Sequence, residues 1–136
     1  MDNGQWTIFR SWKVIDMKEN TLREKSYSFA LRIVKMCKYL GEEKKEFVLS
    51  KQILRSGTSV GANIEEANQG QSKADFIHKL SISLKEAVET NYWLRLLRDS
   101  EYLSETQAES LLTDCRELEK LLTASIKTAK QRITDS

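Results

Sequence analysis

The sequence contains no proline, and its 136 residues include only five glycines. Proline is the strongest helix breaker, so its absence permits long uninterrupted helices. Sustained alternation of β-branched or aromatic residues with polar ones is also missing, which leaves strands without support. Histidine occurs once, as His78, and cysteine twice, as Cys37 and Cys115. The two cysteines are far apart and form no CxxC or metal-ligand spacing. They read as small buried apolar residues in a reducing compartment. The longest apolar runs fall well short of the roughly 18 residues of a membrane span. The stretch from Trp6 to Ile15 is broken by Arg10 and Lys13, so it is not a signal peptide. A cytoplasmic protein with no membrane association is expected. An excess of one charge sign is missing too: the formal net charge is +2, too small by itself to require a nucleic-acid partner.

What is present is helical periodicity. A first helix is expected from Thr21 to Leu40. Thr21 and Glu24 have the spacing of a capping box, and Gly41 stands as a stop. Leu22, Phe29, Ala30, Ile33, Cys37 and Leu40 share one of its faces. After a charged loop, Glu42 to Glu46, a second helix runs from Phe47 or Ser50 to Asn68, with Gly70 marking its end. Leu54, Gly57, Val60, Gly61, Ile64 and Ala67 recur along it. A third opens on Ser72 and Asp75 and ends near Tyr102, carrying Phe76, Leu80, Leu84, Ala87, Leu94 and Leu97 inward. A fourth opens on Ser104 and Gln107 and keeps apolar steps of three and four from Ala108 to Ile133. Four amphipathic helices with short connections predict an all-α fold, an antiparallel up-down four-helix bundle over residues 20–134. Residues 1–19 follow neither period and read as an extension, either disordered or packed on the bundle.

Enzyme chemistry finds few residues to use. Di-metal sites in bundles need two Glu-x-x-His pairs and two further glutamates. Here Asp75-x-x-His78 is half of one pair. A serine or cysteine nucleophile needs a base that the single histidine is not arranged to supply. No catalytic activity, no metal and no cofactor is expected.

One stretch departs from ordinary bundle sequence. RSGTSVGANIEEA, residues 55–67, places small and hydroxyl residues in a helix interior. Gly57 and Gly61 lie one turn apart on one face. Each costs about 1 kcal/mol relative to alanine in an exposed helix. Close approach of another helix, with Trp93 or Phe29 filling the groove, would offset that. A ligand cradle is the alternative, but a phosphate loop would need a preceding strand and a following lysine, and neither is there. Arg55, Ser56, Ser59, Asn63 and Glu66 form a polar seam beside the glycines. Buried polar groups must be hydrogen-bonded. Asn63, with Arg55 or Glu66, is therefore expected to pair across to Glu86, Glu89 or Asn91; the alternative is that Arg55 and Glu66 sit in solvent and Asn63 bonds to its own helix.

The run RSGTSVGANIEEA, followed by SKADFIHKLSISLKEAVETNYWLRLLRDSEYL, closely resembles the bacterial family of 23S rRNA-intervening-sequence proteins. EKSYSFALRIVKMCKYL and LLTDCRELEKLL are similar to the same family. The resemblance spans Met17 to Arg132. Members often begin where Met17-Lys18-Glu19-Asn20 stands, so residues 1–16 depart from the pattern. The resemblance implies an up-down-up-down bundle assembled into a ring-like homo-oligomer, a homopentamer. It also implies a link to RNA: some members are encoded inside insertions of large-subunit rRNA genes. A related protein is an accessory factor of diversity-generating retroelements, working with a reverse transcriptase.

The charged residues fit that link. Lys25, Arg32, Lys35 and Lys38 lie away from the apolar stripe of the first helix. Lys120, Lys127, Lys130 and Arg132 form a second basic region near the end of the fourth. They read either as solvated faces, with the C-terminal cations complementing a helix dipole, or as contacts to RNA or DNA phosphates. A ring would repeat a modest strip into a strong field. Lys25, Arg32, Lys35, Lys38, Lys127, Lys130 and Arg132 are the expected nucleic-acid contacts. Tyr27, Leu31 and Val34, and likewise Tyr92, Trp93 and Leu96, lie outside the main stripes and suggest either a subunit interface or a broader core-facing arc. The competing expectation is a protein-interaction scaffold or accessory factor for a nucleic-acid enzyme.

Overall fold

The computed structural model describes residues 16–135, with side chains from residue 20 to residue 131. Four α-helices make up the fold: α1 (Asp16–Glu42), α2 (Val48–Asn68), α3 (Lys73–Asp99) and α4 (Glu105–Asp135). Consecutive helices pack against one another, and α1 closes more lightly onto α4. The short turns make neighbours antiparallel, so the face formed by α1 and α2 lies opposite the face formed by α3 and α4.

The core follows from the apolar spacing. Leu22, Phe29, Ile33, Met36 and Leu40 of α1 meet Ile53, Val60 and Ile64 of α2. Phe76, Leu80, Ala87, Leu94 and Leu97 of α3 meet Leu111, Leu112, Cys115, Leu118 and Leu122 of α4. Each large side chain so buried contributes roughly 1.5–3 kcal/mol. In α2 the sequence pattern is one residue out of phase at its start: Ile53 is fully buried, and Leu54 is on the surface. Both fit a three-to-four spacing with Gly57, so the stripe alone does not separate them.

The helix ends combine expected and unexpected devices. Ser72 Oγ accepts from Asp75 N–H at 3.1 Å and caps α3. Ser104 and Gln107 form the full reciprocal box at α4: each backbone N–H donates to the other's side chain, at 2.9 and 3.1 Å. At α1 the helix starts at Asp16, so Thr21 and Glu24 lie within it rather than capping it. The part of the expected extension before Asp16, with Trp6, Phe9 and Trp12, lies outside the described residues.

Gly41 is not the turn residue that sequence suggests. It lies inside α1, and Lys45 makes the turn with φ 54°. The missing side chain at Gly41 instead makes room for Phe47: a Cβ there would stand 3.2 Å from the ring. The loop before α2 hides a cap that no sequence signal marks. The buried Glu46 carboxylate accepts from the backbone N–H groups of Val48, Leu49 and Ser50, at 3.0, 2.9 and 2.8 Å. Three otherwise unpaired donors of the first turn are satisfied by one side chain.

Candidate nucleic-acid interface

The glycine-rich stretch is a packing device directed at α1. A Cβ at Gly57 would meet both Ile33 Cγ atoms at 3.0 Å. At Gly61 it would stand 3.3 Å from Ser26 Oγ and 3.5 Å from the Ser26 carbonyl oxygen. The groove is therefore filled by Ile33 and Ser26, not by Trp93 or Phe29. Ser26 is itself buried, with its hydroxyl bonded to the Arg23 carbonyl.

The other side of α2 carries the polar seam. Thr90 Oγ1 donates to Ser56 Oγ at 2.8 Å, and Ser83 Oγ to the Val60 carbonyl at 2.7 Å. All three hydroxyl side chains are fully buried. Arg55 pairs with Glu86 and Glu89, and Glu66 with Lys79. Asn63 does not cross to α3. Its amide donates to the Ser59 carbonyl of its own helix at 2.9 Å. The register set by the Ser56–Thr90, Val60–Ser83 and Glu66–Lys79 pairs puts Ile82 level with Asn63, and Ile82 offers no polar partner. Asn91 turns the opposite way, to Glu119 of α4 at 3.0 Å. Ser59 bonds to the Arg55 carbonyl one turn back.

The cations of α1 divide into two groups. Lys25 pairs with Glu117 at 3.2 Å, and Arg32 with Asp114 of α4. Arg32 also donates to the Ser110 hydroxyl at 2.8 Å. These two are largely neutralised, and they tie α1 to α4. Lys35 and Lys38 are exposed and have no carboxylate partner among the described residues. The α4 cations stand at the far end of the bundle: Arg32 lies beside Ser110, and Lys127 is about 25 Å further along α4. The two basic regions expected from sequence are thus separate. Lys127 and Lys130 are exposed, and the side chain of Arg132 lies outside the described residues.

The α3–α4 face gathers cations that periodicity on one helix could not bring together. Cys115 and Glu119 of α4 bond to Ala87 and Asn91 of α3, which fixes the register. Arg116, Lys120 and Lys127 continue along the same flank of α4. Lys85, Val88, Tyr92 and Arg95 line the adjoining ridge of α3. Lys85, Lys120 and Lys127 are exposed without a carboxylate partner among the described residues. The acids that flank Lys85 and Lys120 in sequence are engaged elsewhere. Glu86 and Glu89 pair with Arg55, Glu117 pairs with Lys25, and Glu119 accepts from Asn91. The Trp93 and Arg55 hydrogen bonds hold the Glu89 carboxyl below its ordinary range, so its charge persists and stays paired.

The opposite side, on α1 and α2, carries several exposed apolar side chains. Tyr27, Leu31 and Val34 of α1 and Phe47 and Leu54 of α2 are all exposed, Tyr27 by 67% and Phe47 by 63%. They straddle the α1–α2 groove beside the Arg23–Glu65 pair.

His78 is exposed, and no group of three or more His, Cys, Asp or Glu gathers among the described residues. No helix among them is long and apolar enough to cross a membrane. Cys115 is buried and Cys37 half-buried. Desolvation, with Glu46 nearby, pushes Cys37 up to about 11; desolvation, with Glu119, pushes Cys115 up to about 12.

Comparison with known proteins supports the resemblance in the sequence. The profile described as 23S rRNA-intervening sequence protein matches residues 18–124. A crystal structure of a protein of unknown function from the S23 ribosomal protein family of Bacteroides thetaiotaomicron VPI-5482 is 59% identical. It superposes with a TM-score of 0.80, over 81% of this chain and 98% of that one. Among curated proteins none matches. With the match covering most of the chain and the four-helix fold shared, this protein belongs to the family of 23S rRNA-intervening sequence proteins.

Proposed function

We propose that this chain is a non-catalytic, cytoplasmic nucleic-acid-binding protein that assembles into a homo-oligomer, a pentameric ring. The observation that carries the reading is the α3–α4 face, where Lys85, Lys120 and Lys127 stand exposed while Glu86, Glu117 and Glu119 are bonded to Arg55, Lys25 and Asn91. Uncompensated lysines on one face attract phosphates whatever the base sequence. The family's link to rRNA makes RNA the first candidate. Lys35 and Lys38 add a smaller basic site at the other end.

Self-association rests on the α1–α2 face. Tyr27, Leu31, Val34, Phe47 and Leu54 are exposed apolar side chains on α1 and α2, more than a lone monomer needs at its surface. Repetition of the basic face around a ring multiplies its field. The same side chains also support a second reading, in which they dock another protein such as a nucleic-acid enzyme.

A filter-binding titration of the purified protein against a structured RNA tests the main reading. Binding at low salt that weakens steeply as salt rises is expected. Absence of binding at low salt would overturn it, and a salt-insensitive complex with a protein partner would favour the second reading.

A further inference from the structure

We infer that the α3–α4 face takes single-stranded rather than double-stranded RNA, with Tyr92 as the platform on which an unpaired base stacks; this rests on the nucleic-acid reading above. Tyr92 stands on the outward ridge of α3, half exposed, between Val88 and Arg95. A solvent-facing tyrosine on a helix is ordinary by itself. This one is flanked by cations on both helices. Lys85 lies two turns before it on α3, and the bond from its neighbour Asn91 to Glu119 brings alongside the stretch of α4 that carries Arg116 and Lys120.

The ring is held in place from two sides. Trp93 meets it edge to face, with ring centroids 5.0 Å apart and planes inclined at 71°. Trp93 is in turn fixed by its indole N–H, which donates to Glu89 at 2.9 Å, and Glu89 takes Arg55 from α2. Arg95, anchored by its Nε donating to Asn91 at 2.9 Å, places its guanidinium 5.9 Å from the Tyr92 centroid. A ring oriented in advance loses little freedom when a base settles on it.

The chemistry separates the two kinds of RNA. A duplex presents phosphates and 2′-hydroxyls, while its base faces are stacked inside. It can use Lys85, Lys120 and Lys127 but has nothing to place on Tyr92. An unpaired strand offers both a backbone for the lysines and a free π-face for the ring. Base–aromatic stacking is tolerant of sequence, because every base has such a face. The arrangement therefore fits an RNA recognised by strandedness rather than by base edges.

The test is fluorescence anisotropy of full-length protein with a labelled single-stranded oligouridine and with a labelled RNA duplex of the same length, at one fixed low salt. Oligouridine is expected to bind more tightly. Tyr92→Ala is expected to weaken oligouridine binding by about fivefold or more, and Tyr92→Phe to leave it within about twofold, while duplex affinity stays unchanged in both. Circular dichroism of the variants checks that the fold is kept. Should Tyr92→Ala change neither affinity, or both equally, the stacking inference is overturned. The basic-face reading then still stands if Lys85→Glu with Lys120→Glu weakens both RNAs. Failure of wild-type protein to bind either RNA would overturn both.

Discussion

Thr90 of α3 donates its hydroxyl proton to Ser56 of α2 at 2.8 Å, and neither side chain is exposed to solvent. The same hydroxyl also donates to the Glu86 carbonyl of its own helix at 2.7 Å, so its one proton is shared between the two acceptors. This pair, with Ser83 on the Val60 carbonyl, fixes how α2 and α3 slide past one another. A shift of either helix would leave buried hydroxyls unpaired, at about 1–3 kcal/mol each. Thr90→Val keeps the shape and removes the donor. It should lower stability by roughly 1–2 kcal/mol. Thr90→Val with Ser56→Ala should recover part of that loss, because both partners are then apolar. Urea unfolding of the two single variants and the double variant checks this. A double variant as unstable as the sum of the singles would show that the pair does not act together.

The two glycines should respond differently. At Gly57 a Cβ meets the fully buried, branched Ile33 at 3.0 Å, and the surrounding core leaves Ile33 little room to move. At Gly61 the nearest atom is Ser26 Oγ at 3.3 Å. Gly57→Ala is therefore expected to destabilise, and Gly61→Ala to be close to neutral once the helix-propensity gain of about 1 kcal/mol is included. Gly61→Leu should cost roughly 1–3 kcal/mol through overpacking. Thermal unfolding reads all three; full stability in Gly61→Leu would refute the close-packing account.

Glu46 caps α2 with three accepted N–H bonds. Glu46→Ala should lower stability by about 0.5–2 kcal/mol, the range for removal of a helix cap. Native-state hydrogen exchange should show the weakening concentrated at Val48, Leu49 and Ser50. Unchanged protection at those amides would contradict the capping role.

The cysteines give a pH prediction with a definite sign. Burial raises the thiol of Cys37 to about 11 and that of Cys115 to about 12, above an ordinary thiol near 8.5. The folded protein thus holds these protons where the unfolded chain releases them. Stability from this source is fully present below about pH 8.5 and declines as pH rises toward those folded values. Both thiols should resist iodoacetamide at pH 8 in native protein and react on unfolding. Rapid native alkylation would contradict the raised thiol of Cys37 and the burial of Cys115.

Much of the fold is legible in the sequence, because helix phase and caps are local. Ser72, Ser104 and Gln107 act where their spacing places them. Glu46 is not legible, since a glutamate in a charged loop carries no mark of a cap. Neither is the start of α1 at Asp16, because Thr21 and Glu24 have cap spacing wherever the helix begins. The basic surface is legible least. Lys25, Arg32, Lys35 and Lys38 look equivalent on one helix. Only the pairing of α1 with α4 brings Asp114 and Glu117 against Arg32 and Lys25. Likewise Lys85 and Lys120 come from different helices, and their common face depends on the Asn91–Glu119 register. The polar seam does set Arg55 against Glu86 and Glu89, as its spacing suggests, but Asn63 bonds within α2 to the Ser59 carbonyl.

The exposed apolar side chains of α1 and α2 should hold the assembly together. Leu31→Glu places a charge among them, at a side chain 47% exposed, so the helix itself should tolerate it. Sedimentation velocity is expected to show a smaller species than wild type with unchanged helicity. An unaltered sedimentation coefficient would move the interface elsewhere.

The most direct test of the account is the salt dependence of RNA affinity in wild type and in a variant carrying Lys85→Glu, Lys120→Glu and Lys127→Glu. The logarithm of the binding constant should fall linearly with the logarithm of salt concentration, with a slope set by the number of phosphates neutralised. The triple reversal should weaken binding at every salt and flatten the slope by around one for each phosphate that a lysine no longer neutralises. Lys35→Glu with Lys38→Glu should have the smaller effect. If the triple variant keeps wild-type affinity and slope, the α3–α4 face is not the RNA-binding surface and the proposed function fails.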